Sequence, residues 1–473
     1  MVGRFNEKEI LDQCVRSGRP EFVAVYGRRR VGKTFLIKEY FGDRFSFYAT
    51  GINNQNTKGQ LKAFHASLRE YGSTEKTIPK DWFEAFLRLK EILQNKAVKR
   101  ETFSGRRLVF LDELPWMDTA RSDFKSALDY FWNSWGSSQK DLMLIVCGSA
   151  TSWIIKNLLA DTGGFYNRVT RRIHLAPFTL RECKDLLDQN HVVMTDKQII
   201  ETYMIFGGIP FYLNMLNERF SLAQNVDALI FHEYGDLHNE YQNLFESLYK
   251  NPGRHERIIS ALSKSKDGLT RVELSGDPAI GDGEPLTKTL SELVECGFVR
   301  QYKNYTTPKQ GCNYQLIDPF LLFSLKCREN DQISSWQSYI HTPGYYSWRG
   351  NAFEIVCLNH IREIKTALGI AGVETGVYAW RSKKAEPGVQ IDLLIDRKDG
   401  IINICEMKYS DKEYVIDKKT EEDLIRKTEA FREEVHPDKA LHITLISASG
   451  VKENQYRSVA QRVINGEELL KQL

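Results

Sequence analysis

Eight residues near the N-terminus have the types and spacing needed to hold a triphosphate. Gly27-Arg28-Arg29-Arg30-Val31-Gly32-Lys33-Thr34 reads GxxxxGKT. The glycines let main-chain amides curl around phosphate oxygens, and a helix starting at Gly32 adds the positive end of its dipole. Lys33 is placed to reach the β/γ-phosphates and the Thr34 hydroxyl to bind magnesium. A second run, Leu108-Val109-Phe110-Leu111-Asp112-Glu113, is an apolar strand ending in two acids. Asp112 at its exit can hold magnesium through water, and Glu113 can polarise an attacking water as general base. Ser149, closing the apolar run Leu142–Gly148, can contact the γ-phosphate or that water; equally, it can cap a Ser/Thr-rich turn. Arg168 is the candidate sensor or arginine finger, with Arg171 and Arg172 as rivals. The cofactors expected are ATP and Mg2+.

A second group of chemically able residues lies near the C-terminus. Val389–Asp396 and Ile401–Lys408 flank the turn Arg397-Lys398-Asp399-Gly400. A three-residue loop pairs position 397 with 401, which sets Asp392 opposite Glu406 and Gln390 opposite Lys408. Alternation then puts these four on one face and Val389, Ile391, Leu393, Ile395, Cys405 and Met407 on the other. Two opposed carboxylates repel unless a cation intervenes. A magnesium ion held by Asp392 and Glu406 would resolve this and could activate water against a phosphodiester, with Lys408 stabilising charge. The plainer possibility is a hairpin with a solvated Asp/Glu/Lys cluster.

These residues need elements to position them. Phe22–Gly27 reads as a buried strand and Gly32–Phe41 as its helix; Phe45–Thr50, Leu108–Asp112, Leu142–Gly148 and Arg172–Leu175 are further strands. Strands alternating with helices predict a parallel sheet covered on both faces. After Pro177 the pattern turns helical, starting from the capping box Thr179-Leu180-Arg181-Glu182 and broken at Gly207-Gly208-Ile209-Pro210. Residues 253–320 read as three helices followed by two strands, the order of a winged helix-turn-helix. From Trp348 the pattern gives a helix over Asn351–Ala367, strands at Val377–Arg381, Val389–Asp396, Ile401–Met407 and Leu441–Ser447, and a helix over Lys419–Glu434. The expected division is a nucleotide-binding core 1–176, a helical lid 177–252, the winged helix 253–320, a linker 321–347 and a last α/β domain 348–473.

Composition narrows the classes. The 473 residues are 42% hydrophobic and 27% charged with a formal net charge of +3, ordinary for a folded chain of several domains. Apolar runs such as Leu142–Cys147 are too short for a membrane span, and no membrane partner is expected. Eight scattered cysteines without a CxxC pair fit a reducing cytoplasm. Residues 253–310 hold 9 Lys/Arg against 8 Asp/Glu, and Lys288 faces Glu292 and Glu295 in the expected recognition helix, so DNA phosphates gain little there.

Residues 1–320 resemble the archaeal-type AAA ATPase family, relatives of the AAA+ and STAND ATPases. The matching pieces are Gly3-Arg4 with Glu7 and Glu9, Tyr26 to Thr34, Leu111-Asp112-Glu113, Cys147-Gly148-Ser149, Phe206-Gly207-Gly208-Ile209-Pro210 and Tyr314 to Phe320. The strand candidate between phosphate loop and acid pair places the chain in the Glu-catalysed division of P-loop ATPases. The resemblance implies an ATP-hydrolysing core, a lid whose Gly-Gly-Ile-Pro turn sits near the nucleotide, and a winged helix. The C-terminal residues Asp392 and Glu406-Met407-Lys408 resemble the PD-(D/E)xK nuclease superfamily in its DUF234 form, with Ile391 where the motif's Pro stands. Trp348 to Glu354 is similar to the helix that adds a further acid. The fold class implied is α/β throughout: a P-loop NTPase sheet with lid, winged helix and restriction-endonuclease-like domain. The function implied is an ATPase coupled to a metal-dependent nuclease acting on DNA or RNA. The alternative is an ATP-dependent switch or scaffold whose C-terminal domain only binds partners, as a homo-oligomer or with another protein.

Overall fold

A computed structural model describes residues 1–160, 167–249, 251–306, 312–328, 333–382, 384–385 and 387–471. It divides into two units, Met1–Ala176 and Pro177–Leu473. No helix among the described residues is long and apolar enough to cross a membrane.

The first unit is built on five parallel strands: β1 (Glu21–Tyr26), β2 (Phe47–Thr50), β3 (Arg107–Asp112), β4 (Leu142–Gly148) and β5 (Arg171–His174), in the order β2-β3-β4-β1-β5. Every residue of β3 and β4 is buried. Strands of this kind need covering on both faces, which explains their unbroken apolar runs. Helices Thr57–Glu70, Trp82–Gln94 and Phe124–Ser134 pack one face through Phe64, Trp82, Phe86 and Phe124. In sequence β2 lies between the phosphate loop and the acid pair, but in space the strand between them is β4. The loop after β1, the acids after β3 and Ser149 after β4 therefore leave the same edge of the sheet, side by side.

The second unit opens with helices Leu180–Gln189 and Asp196–Phe206, each begun by a complete capping box, Thr179 with Glu182 and Thr195 with Gln198. The break at Gly207-Gly208 is steric. Gly208 has φ +67°, its carbonyl accepts from Phe178 N (2.7 Å), and a Cβ there would lie 2.3 Å from Phe178 O. Gly208→Ala combines a left-handed alanine with a backbone clash, an expected loss of roughly 2–4 kcal/mol. A thermal melt of the second unit's transition should fall by about 5–10 °C.

Residues 253–316 form helices Gly253–Lys264, Arg271–Ser275 and Glu284–Glu295 with a small antiparallel sheet of β6 (Leu269–Thr270), β7 (Val299–Tyr302) and β8 (Asn313–Leu316), in the order β6-β8-β7. The two-residue β6 was too short to register as a sequence pattern. The stretch 321–347, expected as a linker, is corrected. Helices Pro319–Phe323 and Trp336–Tyr339 lie across it, and Leu321, Leu322, Phe323, Trp336 and Tyr345 are buried. Aromatic residues packed edge to face, such as Phe323 on Trp336 (5.0 Å) and Trp336 on Trp348 (5.1 Å), make the buried residues on either side of 329–332 part of the core.

The last sheet is mixed: β9 (Thr375–Arg381), β10 (Gln390–Arg397) and β11 (Ile401–Lys408) run antiparallel, then β12 (Ala440–Ser447) and β13 (Arg462–Asn465) continue parallel to β11. The β10–β11 pairing, Leu393 with Cys405 through Asp396 with Ile402, is the one a three-residue loop predicts. Helix Lys418–Val435 covers one face, Phe431 meeting Trp380 edge to face at 5.2 Å. The helix expected over Asn351–Ala367 is two, Pro343–Asn359 and Ile361–Ala367, broken at His360. The buried His360 imidazole bonds Val356 O (2.7 Å) and accepts from Leu180 N (2.9 Å), competing for the carbonyl one turn back.

Candidate functional site

The phosphate loop is held by packing that only glycine permits. Gly27 (φ +145°) lies so close to the end of β5 that a Cβ would be 2.2 Å from Leu175 O, and Gly32 (φ +92°) turns the chain into helix Lys33–Phe41. Lys33 is buried, and its Nζ donates to Gly27 O (2.9 Å) and Arg28 O (2.8 Å), which sets the ammonium inside the arch of the loop. Arg28 and Val31 are buried within the loop; Arg29 and Arg30 are half-buried.

Thr34 at the head of the helix donates from Oγ1 to both oxygens of Asp112, at 3.1 and 2.9 Å. Asp112 is itself buried, and it also accepts from Glu113 N (2.9 Å) and from the Cys147 thiol (2.6 Å). A hydroxyl and a carboxylate converging on one point are the donor set a magnesium–nucleotide complex uses, so these residues fit the ion. Burial, followed by the Asp112 charge, pushes the Cys147 thiol far up, so the sulfur stays protonated and remains a donor.

Glu113 sits in the left-handed region (φ +46°) just ahead of the short helix Leu114–Met117. Its Oε1 accepts from the Ser149 hydroxyl at 2.7 Å and its Oε2 from Ser149 N at 3.1 Å. Ser149 caps no helix: the turn Thr151–Ile154 has Ala150 at its cap, without a side-chain bond. Both oxygens of the candidate base are thus tethered to the end of β4.

Arg168 is not brought into this group. It is exposed, three residues ahead of β5, and β5 runs parallel to β1, so it stands at the opposite end of the sheet from the loop. Strand direction thus keeps this candidate sensor or arginine finger apart from the loop and the acids of its own chain. The adjoining Phe165 and Tyr166 lie outside the described residues. Two participants were missed. Cys147 is one strand residue short of Gly148 and looked like core. Arg4, quoted above only within the Gly3-Arg4 piece and given no role there, donates from its guanidinium to Val31 O (3.1 Å) and Ala176 O (2.8 Å) and so ties the loop to the residues just past β5.

In the second unit Asp392, Glu406, Lys408 and Gln390 lie on one face of the hairpin, all half-buried. Gln390 Nε2 donates to Asp392 (2.6 Å). Glu406 is bracketed by Lys408 (2.8 Å) and Lys427 (2.9 Å). Burial pushes its carboxyl up, but the two ammonium groups outweigh burial and hold it below the usual range. Glu354, from helix Pro343–Asn359, joins the group through Lys266, which lies 2.8 Å from Glu354 and 3.6 Å from Asp392. Burial, with the Asp392 charge behind it, pushes the Glu354 carboxyl up to about 7 against the pull of Lys266. Three acids face three lysines. Among the described residues, no three acidic, His or Cys side chains converge closely enough to hold a metal ion. The oxygen donors suit a hard cation, but as arranged the lysines span the space between them, so the group does not fit a metal in this arrangement.

Residues 1–216 match the profile of a family described as an ATPase domain predominantly from Archaea. The uncharacterized protein MJECL04 of Methanocaldococcus jannaschii is 23% identical over 325 residues, 68% of this chain and 67% of that one. Among solved structures, the Walker-type ATPase PABY2304 of Pyrococcus abyssi aligns with a TM-score of 0.50 and 17% identity, over 69% of this chain and 96% of that one; at this identity the likeness speaks to the fold alone. The chain thus carries an ATP-binding, P-loop-type ATPase domain on a parallel five-stranded sheet.

Proposed function

We propose, from that ATPase domain as premise, that the chain hydrolyses ATP and uses its nucleotide state to govern a C-terminal effector. The observation carrying the first half is the convergence of Lys33, the Thr34–Asp112 pair and the Ser149-held Glu113 at one edge of the sheet. Magnesium, when bound, neutralises charge on the β- and γ-phosphates; Thr34 and Asp112 are the residues to hold it. The loop amides and Lys33 grip the phosphates, and Glu113 accepts a proton from water. Arg168 would act as the arginine finger of a second copy of the chain, a reading that its exposure and its distance from the loop along the sheet support.

For the effector, the mixed sheet with Asp392 on β10 and Glu406 and Lys408 on β11 supports a restriction-endonuclease-like domain of PD-(D/E)xK type at 348–473, preceded by a winged helix at 253–320 and a lid at 177–252. Its substrate class is DNA or RNA. The lysine-spanned acids favour an effector held inactive until rearranged, so cleavage should require ATP. Supercoiled plasmid, single-stranded DNA and RNA incubated with Mg2+ or Mn2+, with and without ATP, form the test. Nicking that needs ATP and disappears in Asp392→Ala and Glu406→Ala is expected. Cleavage undiminished in both variants removes the nuclease reading, and absence of cleavage under every condition leaves the ATP-dependent scaffold, in which the domain only binds partners.

A further inference from the structure

Lys266 belongs by sequence to a different element from the acids it meets. It sits in the turn between helix Gly253–Lys264 and β6, more than eighty residues ahead of Glu354. That turn is built to hold its position. Gly268 has φ +75°, and a Cβ there would lie 2.3 Å from Tyr314 O. The Ser265 hydroxyl donates to Gly268 O (2.8 Å), Gln315 Nε2 donates to Lys266 O (2.6 Å), and the Tyr302 hydroxyl donates to Asp267 O. Two hydrogen bonds and one close backbone approach to the small sheet, with one bond inside the turn, leave the Lys266 side chain as the part that projects.

The turn meets the hairpin with two complementary groups. Lys266 delivers an ammonium to Glu354 and Asp392, and its neighbour Asp267 accepts from Gln390 Nε2 at 2.5 Å. Gln390 in turn donates to Asp392, so one amide bridges the acid of the turn and the acid of the strand. Glu354 is nearly fully buried with Asp392 beside it, and the ammonium between them offsets the repulsion of such a pair. Lys266 is half-exposed, which makes it the one of the three that solvent can draw away.

We propose that Lys266 is a resident counter-ion in the C-terminal carboxylate site, occupying the position between Glu354 and Asp392 that a divalent cation would take, so that metal enters only when the turn 265–268 withdraws. This rests on the metal-dependent reading of that site given above. It accounts for the site's failure to present three converging ligands: the site is closed by the chain's own ammonium. It also gives the segment 253–316 a task that does not require DNA. Moving this segment relative to the hairpin would open or shut the effector, and the near-neutral charge of the segment is no obstacle to that.

Binding of Mn2+ to the nucleotide-free full chain, followed by the loss of the free-ion EPR signal, tests the proposal without reference to cleavage. Each protein is measured with and without Asp392→Ala, which subtracts ions bound elsewhere. Lys266→Gln should bind the Asp392-dependent ion at least about tenfold more tightly than the unaltered chain, and Lys266→Arg, which keeps the charge, should resemble the unaltered chain. Equal Asp392-dependent affinity in Lys266→Gln and the unaltered chain overturns the counter-ion role while leaving the metal site standing. Absence of any Asp392-dependent ion in all three overturns the metal-site reading and this inference with it. A second measurement needs no variant: acylation of Lys266 in the unaltered chain, read by peptide mass against Lys264, should rise on adding saturating Mn2+. Unchanged labelling with the ion bound at the Asp392 site counts against the proposal.

Discussion

Lys33→Ala is expected to lower affinity for ATP by roughly 10²- to 10³-fold and to remove measurable ATPase activity. The ammonium is buried at the centre of the loop and already ordered by the carbonyls of Gly27 and Arg28, so little freedom is lost when it turns to a phosphate. Removing one partner from a buried charged contact costs about 3–5 kcal/mol, and each 1.4 kcal/mol is tenfold in affinity. Two internal controls separate this from misfolding. The apolar strands β1, β3 and β4 do not involve the Lys33 side chain, so the melting temperature of the nucleotide-free protein should stay within a few degrees. The stabilisation that ATP confers on the normal chain, which grows with ligand concentration over Kd, should vanish. A fluorescent nucleotide titration reads the affinity directly; unchanged binding in the variant would remove the phosphate-loop assignment, and the function built on it.

How far these residues could be read from the chain depends on how local their causes are. The phosphate loop was legible because eight consecutive residues carry its chemistry and an apolar run precedes it. Asp112 and Glu113 were legible because an apolar strand must end somewhere, and here it ends in acids. The hairpin register followed from the length of one turn, and the shared face of Asp392 and Glu406 from alternation. Contacts made across long sequence separations were not legible. The Cys147 thiol on Asp112, Arg4 on Val31 O and Lys266 on Glu354 each join residues that no periodicity relates. The choice for Ser149 between phosphate contact and cap was open in sequence; a third arrangement, a tether on Glu113, appears only once β3 and β4 are neighbours. The linker expectation at 321–347 failed for a different reason: its aromatic residues lack helical spacing over any length, yet they bury well as a cluster.

Glu113→Gln should separate binding from chemistry. The amide cannot accept the proton of an attacking water, and loss of a positioned general base costs about 10²–10⁴ in rate. ATP affinity should move by no more than a few-fold, because Lys33, Thr34 and Asp112 keep their contacts. The Ser149 tether sharpens the expectation. In the normal chain both carboxylate oxygens accept, one from the Ser149 hydroxyl and one from its N–H. A glutamine can keep both contacts, its Oε1 accepting from Ser149 N and its Nε2 donating to the Ser149 hydroxyl, so the side chain should stay on β4 and only its capacity to take a proton is lost. Ser149→Ala removes the hydroxyl but leaves the N–H, and a hydrogen bond to a charged group is worth about 1.5–3 kcal/mol. The carboxylate then loses its fixed direction, and kcat should fall roughly tenfold with KM little changed. Because both variants act through the same carboxylate, their effects should not add: Ser149→Ala in the Glu113→Gln background should leave the residual rate where it was. Steady-state ATP hydrolysis by the four proteins measures this coupling. A full tenfold further loss in the double variant would mean that Ser149 serves the nucleotide directly rather than through Glu113, whereas no loss in Glu113→Gln would take the base assignment away from β3 altogether.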